Sequence, residues 1–181
     1  MRLQEWLWDH LYYRFWGCYN SENQGHIFNY IESVIPKSFQ RKFLSDLGCG
    51  DGKNTLRIKK AFKTKGINGY DRNKHLVKRA VLNGINAKVL DLEKYMPKGE
   101  QGSFIMSLHH LKNKEVILRK AKENFKQLFL CEPCLTFRLR LIDGGKPLSK
   151  KDWISLFDKV FGNYQLYEYL NLMMVFYERK K

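Results

Sequence analysis

Phe43-Leu44-Ser45-Asp46-Leu47-Gly48-Cys49-Gly50-Asp51-Gly52-Lys53-Asn54-Thr55 reads as a short buried strand, a glycine turn and the start of a helix. Leu44 and Leu47 supply apolar strand positions. The alternating Gly48, Gly50 and Gly52 let the backbone turn without Cβ clashes and approach a ligand closely. A helix beginning near Lys53 presents its unpaired N–H groups and the positive end of its dipole to that turn. This is a design that cradles a nucleotide. The spacing is G-x-G-x-G, which differs from the G-x-G-x-x-G of the dinucleotide fingerprint, and no Gly-Lys-Ser/Thr follows. A glycine turn alone is a weak signal, so its neighbours decide the reading.

The first neighbour is Gly69-Tyr70-Asp71. Residues 67–70 read as a second strand with Asp71 at its carboxyl end, 19 residues beyond Gly52. An acid in that place suits the hydroxyls of a ribose. The second neighbour, Asn86-Ala87-Lys88-Val89-Leu90-Asp91-Leu92, reads as a third strand that also ends in an acid. Over residues 43–178 this pattern resembles the class I S-adenosylmethionine-dependent methyltransferases, in their small-molecule branch. Asp46 to Gly52 matches their first motif at every position. Asp71 matches the acid that holds the ribose, and Asp91-Leu92 the pair beside the adenine. The resemblance implies an α/β, Rossmann-like fold: a seven-stranded, mostly parallel sheet flanked by helices, its last strand antiparallel. It implies S-adenosylmethionine as cofactor and S-adenosylhomocysteine as product. The cofactor residues it implies are Asp46, Gly48, Cys49, Gly50, Gly52, Asp71, Arg72, Asp91, Leu92 and Ser107.

The chain's 181 residues are expected to form one domain, residues 1–38 as a helical cap and 43–178 as the core. Its 44% hydrophobic and 28% charged content fits a globular protein. No apolar run reaches membrane-spanning length. The first residues are interrupted by Glu5, Asp9, His10 and Arg14, unlike a signal peptide, so a cytoplasmic protein is expected. Cys131-Glu132-Pro133-Cys134 has C-x-x-C spacing, but no second pair completes a zinc site, and no metal is expected. The net charge of +15 attracts polyanions. It stands equally for a nucleic-acid footprint and for a lysine-rich solvated surface.

Seven aromatics fall within residues 1–20, where Leu3, Leu7, Leu11 and Phe15 recur near helical spacing. An amphipathic helix is expected, and in the resemblance this segment closes the substrate pocket through Tyr12, Tyr13, Trp16 and Tyr19. The plain alternative is aromatic cover for a sheet edge. Helices are expected over 26–34, 53–63 and 72–83, from Asn113, and from a Ser149–Asp152 capping box to Phe161. Strands are expected over 104–108 and 127–131, with a hydrophilic loop before the first of them, and 164–170 and 172–178 as a terminal hairpin. The connection 133–148 carries Arg138 and Arg140, which suit a carboxylate or phosphate, or simply decorate a surface.

Methyl transfer from a sulfonium is an in-line displacement from an activated donor, so alignment and exclusion of water do most of the work. A base is needed only where the acceptor must lose a proton. His109 and His110 sit at the carboxyl end of the fourth strand, where α/β sheets bind ligands, and the pair resembles a His-His of small-molecule methyltransferases. Glu132, at the end of the fifth strand, is the next candidate. Each can instead be a packing or loop-anchoring residue. No Asn/Asp-Pro-Pro-Tyr/Phe follows the fourth strand, which disfavours adenine N-methylation, and Cys134 is a poor nucleophile candidate. A small-molecule acceptor is the first reading. RNA methylation is the second, and a catalytically silent cofactor-binding partner subunit is the third.

Overall fold

The computed structural model describes residues 24–136 and 145–179. The helix expected within residues 1–20, with Tyr12, Tyr13, Trp16 and Tyr19, lies outside the described residues, as do Arg138 and Arg140. The chain begins with α1 (Gly25–Val34) and then alternates: β1 (Phe43–Leu47), α2 (Lys53–Ala61), β2 (Gly66–Asp71), α3 (Lys74–Leu82), β3 (Asn86–Val89). β4 (Gly99–Ile105), α4 (Lys114–Asn124), β5 (Phe125–Pro133), α5 (Lys150–Phe161), β6 (Gln165–Tyr169) and β7 (Leu172–Glu178) complete it. Seven strands form one sheet in the order β3-β2-β1-β4-β5-β7-β6. All neighbours are parallel except β7, which is antiparallel to both β5 and β6. This is the α/β architecture expected from the alternating segments, with the reversed last strand.

Alternation along the strands sorts the core onto two faces. Phe104, Leu128, Leu130, Met173 and Val175 pack against α4 and α5 through Ile117, Leu118, Trp153 and Phe157. Ile105, Phe129, Cys131, Met174 and Phe176 pack against α1 and α2 through Ile31 and Ile58, and against Phe62 just past the end of α2. Central strands covered on both faces read as near-continuous apolar runs, and β5 is buried at every residue except Lys126.

The helix boundaries follow local chemistry. The α3 helix starts at Lys74 rather than 72, because the Asn73 side chain accepts the His75 and Leu76 N–H groups as its N-cap. Ser149 caps α5 by accepting the Asp152 N–H at 3.2 Å, and Gly162 ends it at φ 72°. The fourth strand differs from the sequence reading: it runs 99–105, so the stretch expected as a hydrophilic loop is half of a central strand. The buried Gln101 finds partners for its donor nitrogen. Gln101 donates to Gln127 Oε1 at 3.3 Å and to the Phe39 carbonyl at 3.2 Å. Gln127 in turn donates to Glu178 and to the Ser38 carbonyl. A buried amide rung of this kind has no hydropathy signature. The fifth strand is likewise longer than expected, 125–133.

Candidate active site

The chain leaves β1 for β2 on one side and later returns to place β4 on the other. The strand order therefore reverses between β1 and β4, and ligands of open α/β sheets bind outside the carboxyl ends of the strands at such a point. Gly48 follows β1 there, and Ser107 follows β4. Their closeness is extreme: a Cβ on Gly48 would lie 2.5 Å from Ser107 Cβ. Gly48 also holds φ 86°, a conformation that L side chains rarely adopt. Ser107 Oγ donates to the Leu47 carbonyl at 2.6 Å and locks the two strand ends together.

The turn is held from behind by β2. Gly48 and Cys49 N–H both donate to the Tyr70 carbonyl, at 2.7 and 3.0 Å. Asp71 Oδ2 accepts the Gly50 N–H at 3.0 Å, and Oδ1 accepts the Asn73 N–H at 2.8 Å. These bonds fix the carboxylate at the edge of the turn. The Leu90 N–H donates to the Asp71 carbonyl at 2.9 Å, which brings 90–92 alongside. Asp91 is half-buried and accepts the Glu93 N–H at 3.1 Å, while Leu92 is buried in the core. Arg72 is exposed. The Cys49 thiol is buried, and burial pushes its pKa up.

Asp46 points away from the open side of the turn. It is 2% exposed, and its carboxylate accepts the Thr55 hydroxyl at 2.5 Å and the Ser103 hydroxyl at 3.0 Å. Burial pushes its pKa up to about 6 against the lowering effect of those two bonds. Asp46 thus ties β1 to α2 and β4 beneath the turn. A carboxylate at 103 would set a second negative charge against this one, whereas serine supplies a donor. Thr55 was not singled out from the sequence. Its signal is helical phase, since Thr55, Ile58 and Ala61 are the buried residues of α2.

At the ends of β4 and β5 the structure brings His109 and Glu132 together. Glu132 is fully buried, and its Oε1 accepts the backbone N–H groups of Ser107 at 2.9 Å and Leu108 at 2.8 Å. Its Oε2 accepts the His109 N–H at 3.2 Å and lies 2.6 Å from His109 Nδ1. A carboxylate that already accepts three amide N–H groups is suited to accept a fourth donor, so the geometry favours the tautomer with the proton on His109 Nδ1 and directs Nε2 away from Glu132. The His109 ring is 3% exposed, and His110 lies on the exposed side with its ring centroid 4.1 Å away. Lys114 is close enough for the charge of Glu132 to counter the desolvation that lowers its pKa. Trp153 Nε1 donates to the Pro133 carbonyl at 2.9 Å and pins the end of β5.

Gln24, Asn54 and Met106 form a further contact chain at this end, unforeseen in the sequence. Asn54 donates to Gln24 Oε1 at 3.1 Å, and Gln24 lies 3.6 Å from Met106 Sδ. Met106 sits at φ 52° between β4 and the histidine turn, a conformation uncommon outside glycine. The thiols of Cys131 and Cys134 are pushed up by burial, away from the thiolate that would attack.

No family model matches the chain, and no curated protein sequence matches it. Solved structures do. Mitomycin 7-O-methyltransferase MmcR superimposes with a TM-score of 0.69 at 15% identity, over 97% of this chain and 60% of that one. Human N-acetylserotonin methyltransferase, solved with S-adenosylmethionine, gives 0.71 at 14% identity, over 89% and 54%. The N-terminal domain of EvdMO1, solved with S-adenosylhomocysteine, gives 0.59 at 12%, over 88% and 81%. The chain spans about 60% of the length of MmcR. Its fold is that of class I S-adenosylmethionine-dependent methyltransferases. Among the described residues no helix is long and apolar enough to cross a membrane.

Proposed function

We propose that the chain is an S-adenosylmethionine-dependent methyltransferase acting on a small molecule whose reacting hydroxyl must lose a proton. The observation that carries this reading is the pairing of His109 with Glu132 two residues from Ser107, which itself packs on the glycine turn. A base and a nucleotide-cradling turn at one switch point serve a proton-coupled transfer. The bound cofactor supplies a methyl group already activated on a sulfonium. Gly48, Gly50 and Gly52 form the turn that cradles the nucleotide, with Gly48 packed so closely on Ser107 that no Cβ fits, and Asp71 is the residue assigned to the ribose hydroxyls. Asp91 and Leu92 flank the adenine, Arg72 borders the site, and Asp46 keeps the turn in register from below.

On this reading His109 Nε2 takes the acceptor's proton, and Glu132 holds the ring in the correct tautomer and stabilises the imidazolium as it forms. His110 caps the site from the exposed side. Tyr12, Tyr13, Trp16, Tyr19, Arg138 and Arg140 are proposed to enclose the acceptor, with residues 1–38 as the cap on one domain of 181 residues. The cytoplasm is the compartment expected from the sequence. The test of the cofactor assignment is calorimetric titration with S-adenosylmethionine and S-adenosylhomocysteine beside ATP and NAD. Saturable binding of the first two, weakened in Asp71→Asn, supports the reading. Equal or tighter binding of NAD overturns it.

A further inference from the structure

The opposite end of the sheet, where the parallel strands start, has its own organisation. Going across the sheet, β2 starts after Lys65, β1 after Lys42 and β4 after Lys98. Next, β5 has Lys126 as its second residue, and β7 ends immediately before Arg179. Register sets Lys65 beside Lys42 and Lys126 beside Arg179, while Lys98 lies one residue before the position opposite Lys42, and Glu100 falls between Phe43 and Lys126. Phe43 pairs with Gly66, Gly99 with Phe125, and Gln127 with Glu178. The Lys65 N–H donates to the Lys42 carbonyl at 3.1 Å, and the Arg179 N–H to the Lys126 carbonyl at 2.9 Å. Neighbouring strands lie about 4.8 Å apart, so the five strand ends that carry these cations span about 19 Å. Among the described residues Lys42 alone in this row has a carboxylate partner, Glu100 at 2.9 Å. Lys65, Lys98, Lys126 and Arg179 are exposed.

One large apolar side chain stands in the row. Phe43, the first residue of β1, is 58% exposed, although it opens a strand that is otherwise buried. Its ring lies on the backbone of Gly66, where a Cβ would meet the ring at 2.5 Å. A flat, well-supported ring between cations is a stacking platform. Residues 36–70 contain nine Lys and Arg against two acids, Asp46 and Asp51, and both acids are buried. The row ends at a groove of about 460 Å³ lined by Arg119, Lys122, Glu123, Tyr177 and Arg179.

We propose that this strand-start end is a docking surface for single-stranded nucleic acid, with phosphates along Lys65, Lys42, Lys98, Lys126 and Arg179 and a base stacked on Phe43. Cations tracking a backbone, combined with an aromatic for a base, are the recurring elements of single-strand binding. A lipid surface would need an apolar face, and here the apolar element is one ring in a narrow line of charge. The strand β1 and the first turn residue put Phe43 about 16 Å from Gly48. The surface is therefore separate from the proposed transfer site, and it localises or regulates the protein without identifying the methyl acceptor.

The test uses the full chain without cofactor and a fluorescein-labelled decauridylate, followed by anisotropy across a potassium chloride series. Two fourfold Lys→Gln variants carry the same charge change: one at 42, 65, 98 and 126, the other at Lys78, Lys88, Lys150 and Lys151. The expected result is binding whose log–log salt slope becomes shallower by about 3 in the first variant and stays near that of the parent in the second. Phe43→Leu, with an unchanged melting temperature, is expected to weaken binding about 5- to 100-fold while keeping the slope. Equal losses in the two fourfold variants, an unaffected Phe43→Leu, or binding to phosphatidylserine vesicles without binding to the oligonucleotide would overturn the proposal.

Discussion

His109 Nδ1 lies 2.6 Å from Glu132 Oε2, and the same carboxylate accepts the backbone N–H groups of the turn that carries the histidine. Glu132 therefore both builds the turn and orients the imidazole. The two residues should separate on mutation. His109→Gln removes the base and is expected to lower kcat by about 10²- to 10⁴-fold with little change in stability. Glu132→Gln turns an amide NH₂ toward backbone donors and should also cost about 3 kcal/mol, the scale of hydrogen bonds to a buried charge. Urea unfolding of both variants beside their turnover checks this. Equal destabilisation by the two would show that the histidine is a packing residue.

Gly48 and Ser107 form a steric pair across the switch point. Gly48→Ala is expected to lose about 2 kcal/mol, from its positive φ and from the Ser107 contact together. Adding Ser107→Gly relieves the contact but not the φ, so the two changes should couple by about 1 kcal/mol. Denaturation of the four proteins in the cycle measures that coupling, and strict additivity would mean the two strand ends are not in contact.

Asp46 gives the fold a pH signature. Its folded pKa of about 6 stands above the usual carboxylate value, so the folded state holds the proton more tightly than the unfolded chain. The contribution of Asp46 to stability is then greatest below pH 4, falls as pH rises to 6, and is constant above. Between those limits the stability difference between parent and Asp46→Asn should fall by on the order of 3 kcal/mol. Urea midpoints at pH 4, 5, 6 and 7.5 report it. A difference that grows with pH would contradict the burial of this carboxylate.

Asp71 is fixed by the Gly50 and Asn73 N–H groups at the edge of the turn. Replacing it with asparagine removes the charge and sets an amide donor against backbone donors. Binding of S-adenosylhomocysteine should weaken about 10- to 100-fold, the equivalent of one or two charge-assisted hydrogen bonds. Calorimetry measures it, and unchanged affinity would remove Asp71 from the cofactor site.

The alternation of strands and helices was legible because apolar periodicity and the glycine turn are local signals. So were the bounds of α5, whose cap Ser149 bonds to an N–H three residues away, whereas the Asn73 cap that starts α3 two residues later than expected was not read. The start of β4 was not legible, because the Gln127 oxygen that accepts from Gln101 lies 26 residues away and only strand pairing brings the two together. The histidines were found from their place at a strand end. The choice of His109 over His110 was not, because it depends on the Glu132 carboxylate 23 residues away. Asp46 is assigned with the cofactor residues by motif, and its partners beneath the turn, Thr55 and Ser103, were not legible because they contact it through the fold rather than along the chain.

The central claim is methyl transfer to a small molecule with His109 as base. Its most direct test is transfer of radiolabelled methyl from S-adenosylmethionine into fractionated extract of the source cells, with and without ribonuclease, beside His109→Gln and Asp71→Asn. The account predicts label in the low-molecular-weight fraction that is insensitive to ribonuclease and lost in both variants. Label confined to a large fraction that ribonuclease destroys, or transfer that persists in His109→Gln, would contradict it.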